Sequence, residues 1–263
     1  MEGGSDRALP LHCADVRAAI VHCQPMSLFQ VYERAGQRAT AALRAGGRGL
    51  LRAGLWLVPP RCLMCDGTDC DAGIDLCRQC ASELPAAPDF QGSIQPLTAV
   101  FSPWRYEYPV DRLVRALKFH GDRSVARALG STLGHWRAAR PAPLPDLLVP
   151  VPLHGARQRE RGYNQADEIA RALAAVLSVQ RLPLALERVR ETAPQTSLPA
   201  LYRRGNLAGA FRVPDALRCK LRRSRLALID DVMTTGSTAQ AAATALLEAQ
   251  AESVELWTLA RVL

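Results

Sequence analysis

Aromatic residues make up only 5% of the 263-residue chain, which leaves little surface for stacking nucleobases. Lysine is confined to Lys118 and Lys220, so part of the arginine excess reflects compositional habit. Glycine and proline, 18 each, are too few for a collagen-like or low-complexity chain, and an apolar content of 48% excludes disorder throughout. The most apolar stretch near the start, Leu50 to Pro60, is broken by Arg52. It falls far short of the ~20 residues that span a membrane. The opening residues MEGGSDRALPLH contain acids and no apolar core of a secretory signal. Met26 is an internal start candidate. Two common nucleotide-binding loops, G-x-x-x-x-G-K-S/T and G-x-G-x-x-G, are also missing.

What is present is a basic chain with clustered cysteines. The net charge is +8, and the stretch from Arg181 to Arg225 carries all of it, with 11 basic residues against three acids. Such a block attracts polyanions such as phosphates or nucleic acid; a solvated basic face is the plainer alternative. Five of the eight cysteines fall in one window, as Cys62, Cys65, Cys70, Cys77 and Cys80. A secreted disulfide scaffold would spread them along the fold, so a reducing, cytoplasmic setting is expected. Cys62-Leu-Met-Cys65 and Cys77-Arg-Gln-Cys80 are two C-x-x-C pairs. Each supplies two soft ligands from a tight turn, which predicts a structural Zn²⁺ held by Cys62, Cys65, Cys77 and Cys80 with no open position for catalysis. Cys70 is a fifth candidate, and a redox pair is the alternative.

Ser27 to Leu57 has a weak helical pattern, and Pro59-Pro60 opens the cysteine window. Leu97 to Phe101 reads as a strand, and Val110 to Ala138 as helical pattern split at Gly121. After a proline-rich connector, apolar runs at Leu147 to Val151, Leu182 to Leu186, Leu226 to Ile229 and Val254 to Leu259 read as strands. Between them, Asn164 to Leu177 and Ser237 to Ala249 read as helices. This alternation predicts an α/β fold with a parallel sheet flanked by helices. The division expected is 1–58 extension, 59–85 zinc ribbon, 86–145 connecting or hood segment, and 146–263 core. Ligands in such sheets bind beyond the carboxyl ends of the strands.

Two loops lie there. The first follows Ile229: Asp230-Asp231-Val-Met-Thr234-Thr235-Gly236-Ser237-Thr238. Exposed amides at a helix start, with threonine and serine hydroxyls, suit a phosphate, Gly236 permits close backbone approach, and carboxylates accept hydrogen bonds from a ribose diol. Grip of that kind needs both acids open to a ligand rather than buried in ion pairs. The second follows Val151 and carries Arg157, Arg159 and Arg161 on a basic turn before Asn164, a plausible helix cap. Guanidinium groups suit pyrophosphate because each donates two hydrogen bonds in one plane. The long stretch from Arg188 to Asn206 reads as a flap over the site or as a basic insertion touching nucleic acid.

The Asp-Asp-Val-Met-Thr-Thr-Gly-Ser-Thr run resembles the phosphoribosyl-pyrophosphate (PRPP) signature of type I phosphoribosyltransferases. By that resemblance Asp230 and Asp231 hold the ribose hydroxyls, while Thr234, Thr235, Gly236, Ser237 and Thr238 wrap the 5′-phosphate. The arginine loop stands where those enzymes handle pyrophosphate. The four-cysteine ribbon ending in Leu84-Pro85, Leu117-Lys118-Phe119, Arg161-Gly-Tyr-Asn-Gln165 and the Asp-Asp loop, in this order, resemble the competence protein F family from about Pro59 onward. The resemblance implies a type I phosphoribosyltransferase-like fold, PRPP with Mg²⁺, and a role in DNA uptake and natural transformation. Transfer activity and the acceptor stay open, as does oligomeric state. The alternative is a module that binds single-stranded DNA through the basic block and ribbon, with PRPP vestigial or regulatory.

Overall fold

The computed structural model describes residues 61–70, 75–190 and 209–263. The expected N-terminal helix lies outside these residues, as do Cys13, Cys23 and most of the expected flap. A short helix α1 (Arg78–Ser82) closes the cysteine window. Strands β1 (Ala99–Phe101) and β2 (Trp104–Arg105) precede helices α2 (Val110–Phe119) and α3 (Arg123–Ala138). Then come β3 (Leu147–Pro150), α4 (Gly155–Arg161), α5 (Gln165–Leu177) and β4 (Gln180–Arg181). An antiparallel pair, β5 (Glu187–Arg188) with β6 (Phe211–Arg212), is followed by α6 (Asp215–Leu221). The chain ends with β7 (Arg225–Met233), α7 (Ser237–Glu248) and β8 (Ser253–Arg261).

The main sheet runs β1-β8-β7-β3-β4, with β2 also on β8, and every pairing in it is parallel. The α/β expectation therefore holds. The segment 86–145, expected as a connector, adds two strands to one sheet edge and two helices to one face. From β3 the chain crosses through α5 to β4 on one side; from β7 it crosses through α7 to β8 on the other. The strand order thus reverses between β3 and β7, where a crevice opens.

Alternation along the strands separates two cores. Leu148, Ala227, Ile229, Trp257 and Leu259 face α3 and α5, in one cluster with Cys62, Cys77 and Cys80. Leu147, Val149, Leu226, Leu228 and Leu256 face α7 on the other side. Each fully buried aliphatic side chain contributes about 1.5–3 kcal/mol. Helices α3 and α5 pack closely because Gly130 and Gly134 lack side chains: a Cβ at Gly130 would stand 2.9 Å from Ala172 Cβ, and one at Gly134 3.0 Å from Val176.

Two expectations need correction. Leu182 to Leu186 is not a strand. Pro183 cannot donate to a ladder, the chain turns with Ala185 N–H on the Leu182 carbonyl at 3.3 Å, and extended pairing resumes only at Glu187. Strand β7 does not stop at Ile229. Its register with β8 continues through Asp230↔Thr258 to Met233↔Arg261, so both acids lie inside the strand and the loop starts at Thr234. No helix among the described residues is long and apolar enough to cross a membrane.

Candidate functional site

The sulfurs of Cys62, Cys65, Cys77 and Cys80 all lie within 4.8 Å of one another, with Cys65 Sγ and Cys77 Sγ 3.8 Å apart. A tetrahedral zinc with bonds of ~2.3 Å has sulfur–sulfur edges of about 3.8 Å, so the donor set fits that ion. The amides of Cys77 and Cys80 donate to Cys62 Sγ and Cys77 Sγ, each at 3.4 Å, orienting thiolates as second partners of metal ligands do. Cys70 is outside this cluster; its thiol faces the Gly67 carbonyl at 3.9 Å.

The crevice between β3 and β7 is a cleft of about 780 Å³. One wall follows β3 and carries Arg157, Glu160 and Arg161; the floor is Asp230, Asp231 and Val232; Thr234 and Thr238 close one end, and Lys118 and Phe119 of α2 another. Arg188 also lines it.

Alternation decides what the two acids do. Adjacent strand residues point to opposite faces, and Asp231 turns toward the face that α2 covers. There its Oδ1 meets Lys118 Nζ at 2.9 Å, with the Asp231 side chain 6% and the Lys118 side chain 23% exposed. Asp231 is thus buried in an ion pair, against the expectation that both acids stand open. Its Oδ2 is buried without a hydrogen-bond partner. Burial alone would lower the Lys118 ammonium, but Asp231 and then Asp230 outweigh it and raise its pKa.

Asp230 is half-buried and accepts the Asp231 N–H at 2.9 Å. Removal from water, and then repulsion by Asp231, push its carboxyl from 3.8 up to about 7, against the pull of Lys118 and Arg188. A group titrating there can take or give a proton at neutral pH. Burial, and then Arg157, lower Arg188, while Asp230 acts the other way. Lining cations outnumber lining acids, Lys118, Arg157, Arg161 and Arg188 against Glu160, Asp230 and Asp231, so the cleft suits an anion.

The small-residue loop is divided. Thr234 and Thr238 reach the cleft, whereas the Thr235 and Ser237 hydroxyls bond each other at 2.8 Å, and Ser237 N–H reaches Thr235 Oγ1 at 3.4 Å. Gly236 has φ +76°, and a Cβ there would stand 2.6 Å from Ile94 Cδ1. Its missing side chain accommodates Ile94 rather than lining the cleft.

The three arginines lie on helix α4 rather than on a turn. His154 caps it through the Ala156 N–H at 3.4 Å, and Gly162 ends it at φ +72°. Helical spacing spreads their side chains around the axis. Arg157 and Arg161 line the cleft, while Arg159 is exposed with its guanidinium 3.4 Å from the site of a Gly155 Cβ.

The Arg-Gly-Tyr-Asn-Gln segment positions the walls. Asn164 caps α5 through the Ala166 N–H at 3.1 Å and donates to the Val151 carbonyl at 2.9 Å, tying the helix start to the end of β3. Buried Tyr163 donates its hydroxyl to the Leu117 carbonyl, one residue before Lys118. Lys118 is the residue that sequence reasoning missed as a member of the site. Its signal was being one of two lysines in an arginine-rich chain.

No protein-family model matches the chain. It is 36% identical to competence protein F of Haemophilus influenzae over 160 residues, covering 59% of this chain and 69% of the relative. It is 35% identical to DNA utilization protein YhgH of Escherichia coli K12 over 197 residues, covering 72% and 85%. The chain belongs to this family. Among solved structures, a Bacillus subtilis glutamine PRPP amidotransferase complexed with ADP and GMP matches at 19% identity and TM-score 0.35, over 52% of this chain and 26% of that one. An allosteric regulatory enzyme of purine biosynthesis matches at 19% and 0.34, over 51% and 26%. The chain spans about a quarter of the length of those two.

Proposed function

We propose that the cleft binds PRPP or a related phosphoribosyl ligand with Mg²⁺, in a cytoplasmic protein that serves DNA uptake and use, as the names of its relatives imply. One observation carries this: Asp230, Thr234 and Thr238 converge with four cations in a single cleft at the strand-order reversal. Asp230, the acid not held in an ion pair, accepts the ribose hydroxyls, and Asp231 stays paired with Lys118 beneath it. The hydroxyls of Thr234 and Thr238, beside the N-terminal amides of α7, take the 5′-phosphate. Arg157 and Arg161 face the pyrophosphate across the cleft. Carboxylate and hydroxyl oxygens fit Mg²⁺, which binds through one or two carboxylates plus ligand phosphates; when bound it neutralises pyrophosphate charge. The four-cysteine centre holds a structural Zn²⁺ that anchors the ribbon to the core it shares with α3 and α5.

Calorimetry with PRPP·Mg²⁺ tests this reading. Saturable binding is expected, with proton release to the buffer near pH 7 as Asp230 ionises to accept the ribose hydroxyls, and with loss of binding in Asp230→Asn. Ribose 5-phosphate, which lacks the pyrophosphate, should bind more weakly. No heat with PRPP·Mg²⁺, or full binding by the variant, would overturn it.

A further inference from the structure

Four of the 11 basic residues in the block that made single-stranded DNA a candidate partner are held in ion pairs. Arg181 pairs with Asp167, Arg212 with Glu187 at 2.7 Å, Arg218 with Asp215 at 3.0 Å and Arg225 with Asp146 at 2.9 Å. A different surface has the chemistry a single strand needs. Tyr108 and Phe119 are 72% and 69% exposed, in a chain poor in aromatics. Together with the exposed Arg112 and Arg115 they recur at spacings of four, three and four, which puts all four on one face of α2 and the turn leading into it. The opposite face of that helix buries Val110, Val114 and Leu117.

The rings and cations are already arranged together. The Arg112 guanidinium lies 5.5 Å from the Tyr108 ring centre, and that of Arg161 lies 5.3 Å from Phe119. Arg112 and Arg115 have no carboxylate partner among the described residues; of the nearby acids, Glu107 turns to Arg105 at 3.4 Å and Asp111 has one oxygen buried. Phe119 also forms part of the cleft lining. The stripe is about 16 Å long at 1.5 Å per residue, the reach of a few nucleotides, and it ends at the cleft mouth.

We propose that the outer face of α2, the stripe Tyr108–Arg112–Arg115–Phe119, binds single-stranded DNA, with bases stacked on the two rings and phosphates on the two arginines. Stacking on exposed rings is tolerant of sequence because every base has a π-face, and arginine along the track neutralises the backbone. The stripe does not depend on PRPP occupying the cleft.

Fluorescence anisotropy with labelled oligo(dT), longer than the ~16 nucleotides of the largest single-fold sites, tests it on the full chain. Wild type should bind with affinity that falls as salt rises. Tyr108→Ala and Phe119→Ala should each weaken binding roughly 5- to 150-fold. Arg112→Gln with Arg115→Gln should make the slope of log K against log salt shallower by about 1.4, at about 0.7 per phosphate contact. All four side chains are exposed, so unchanged thermal unfolding is the control. PRPP·Mg²⁺ calorimetry on the double arginine variant should match wild type, since neither residue lines the cleft. Wild type that ignores oligo(dT), or variants that bind like wild type, would overturn the stripe. Failure of wild type to bind PRPP would remove the cleft reading and leave the stripe standing.

Discussion

Replacing Asp230 with asparagine should make the protein more stable and remove its ligand binding at once. The fold holds this carboxyl at about 7 against an ordinary 3.8, because its surroundings strip it of water and Asp231 repels its charge. Between about pH 4 and pH 7 the folded chain keeps a proton that the unfolded chain has released. Stability is therefore unpenalised below pH 4, falls as pH rises through that window, and carries the whole penalty above pH 7. A displacement of about three units at 1.36 kcal/mol each gives about 4 kcal/mol, an upper bound because the two adjacent acids titrate as a pair. Asparagine has no charge to desolvate, and its Oδ1 can keep the Asp231 N–H bond that now measures 2.9 Å. Urea denaturation across about pH 4 to 8 should show wild type and variant converging at the acid end. At the alkaline end they should separate by up to that amount, with a melting-point gain on the order of 10 °C. A variant no more stable than wild type at pH 8, or a difference independent of pH, would refute the argument that Asp230 is a desolvated acid retained for a ligand. Functional groups held at the expense of stability behave in this way.

Removing the counter-ion should have the opposite effect. Lys118→Met leaves Asp231 buried beside a second acid and should cost about 3 kcal/mol, the low end for a broken buried pair because the lysine side chain is 23% exposed. Adding Asp231→Asn should restore most of it in a double-mutant denaturation cycle. Metal analysis should find one zinc per chain at the four-cysteine centre. Chelation should lower the melting temperature of the sheet domain as well as the ribbon, since Cys62, Cys77 and Cys80 share the core with Ile169 and Leu173. Gly236→Ala should destabilise by about 1–3 kcal/mol in thermal unfolding, from positive φ together with the clash on Ile94; pairing it with Ile94→Ala should recover the steric share alone.

Much of the architecture was legible because its signals are local. Apolar runs marked β3, β7 and β8, and helical spacing with an asparagine cap marked α5, since burial on both faces and a 3.6-residue period are written in neighbouring residues. Strand length was not. β7 runs past its acids because β8, across the sheet, supplies ladder partners as far as Arg261. Nor was the split of the arginine cluster. Arg159 turned away from Arg157 and Arg161 once the segment proved helical rather than a turn.

Composition and spacing alone determined the parallel α/β order, the four metal-ligand candidates and the neighbourhood of the cleft, because each depends on residue type and short-range period. Only the tertiary structure decided that Lys118 occupies one of the two acids, that the other is held near neutrality, and that Tyr108 and Phe119 stand in the open. Charge state and exposure are set by what lies within a few ångströms in space, and those neighbours come from distant parts of the chain.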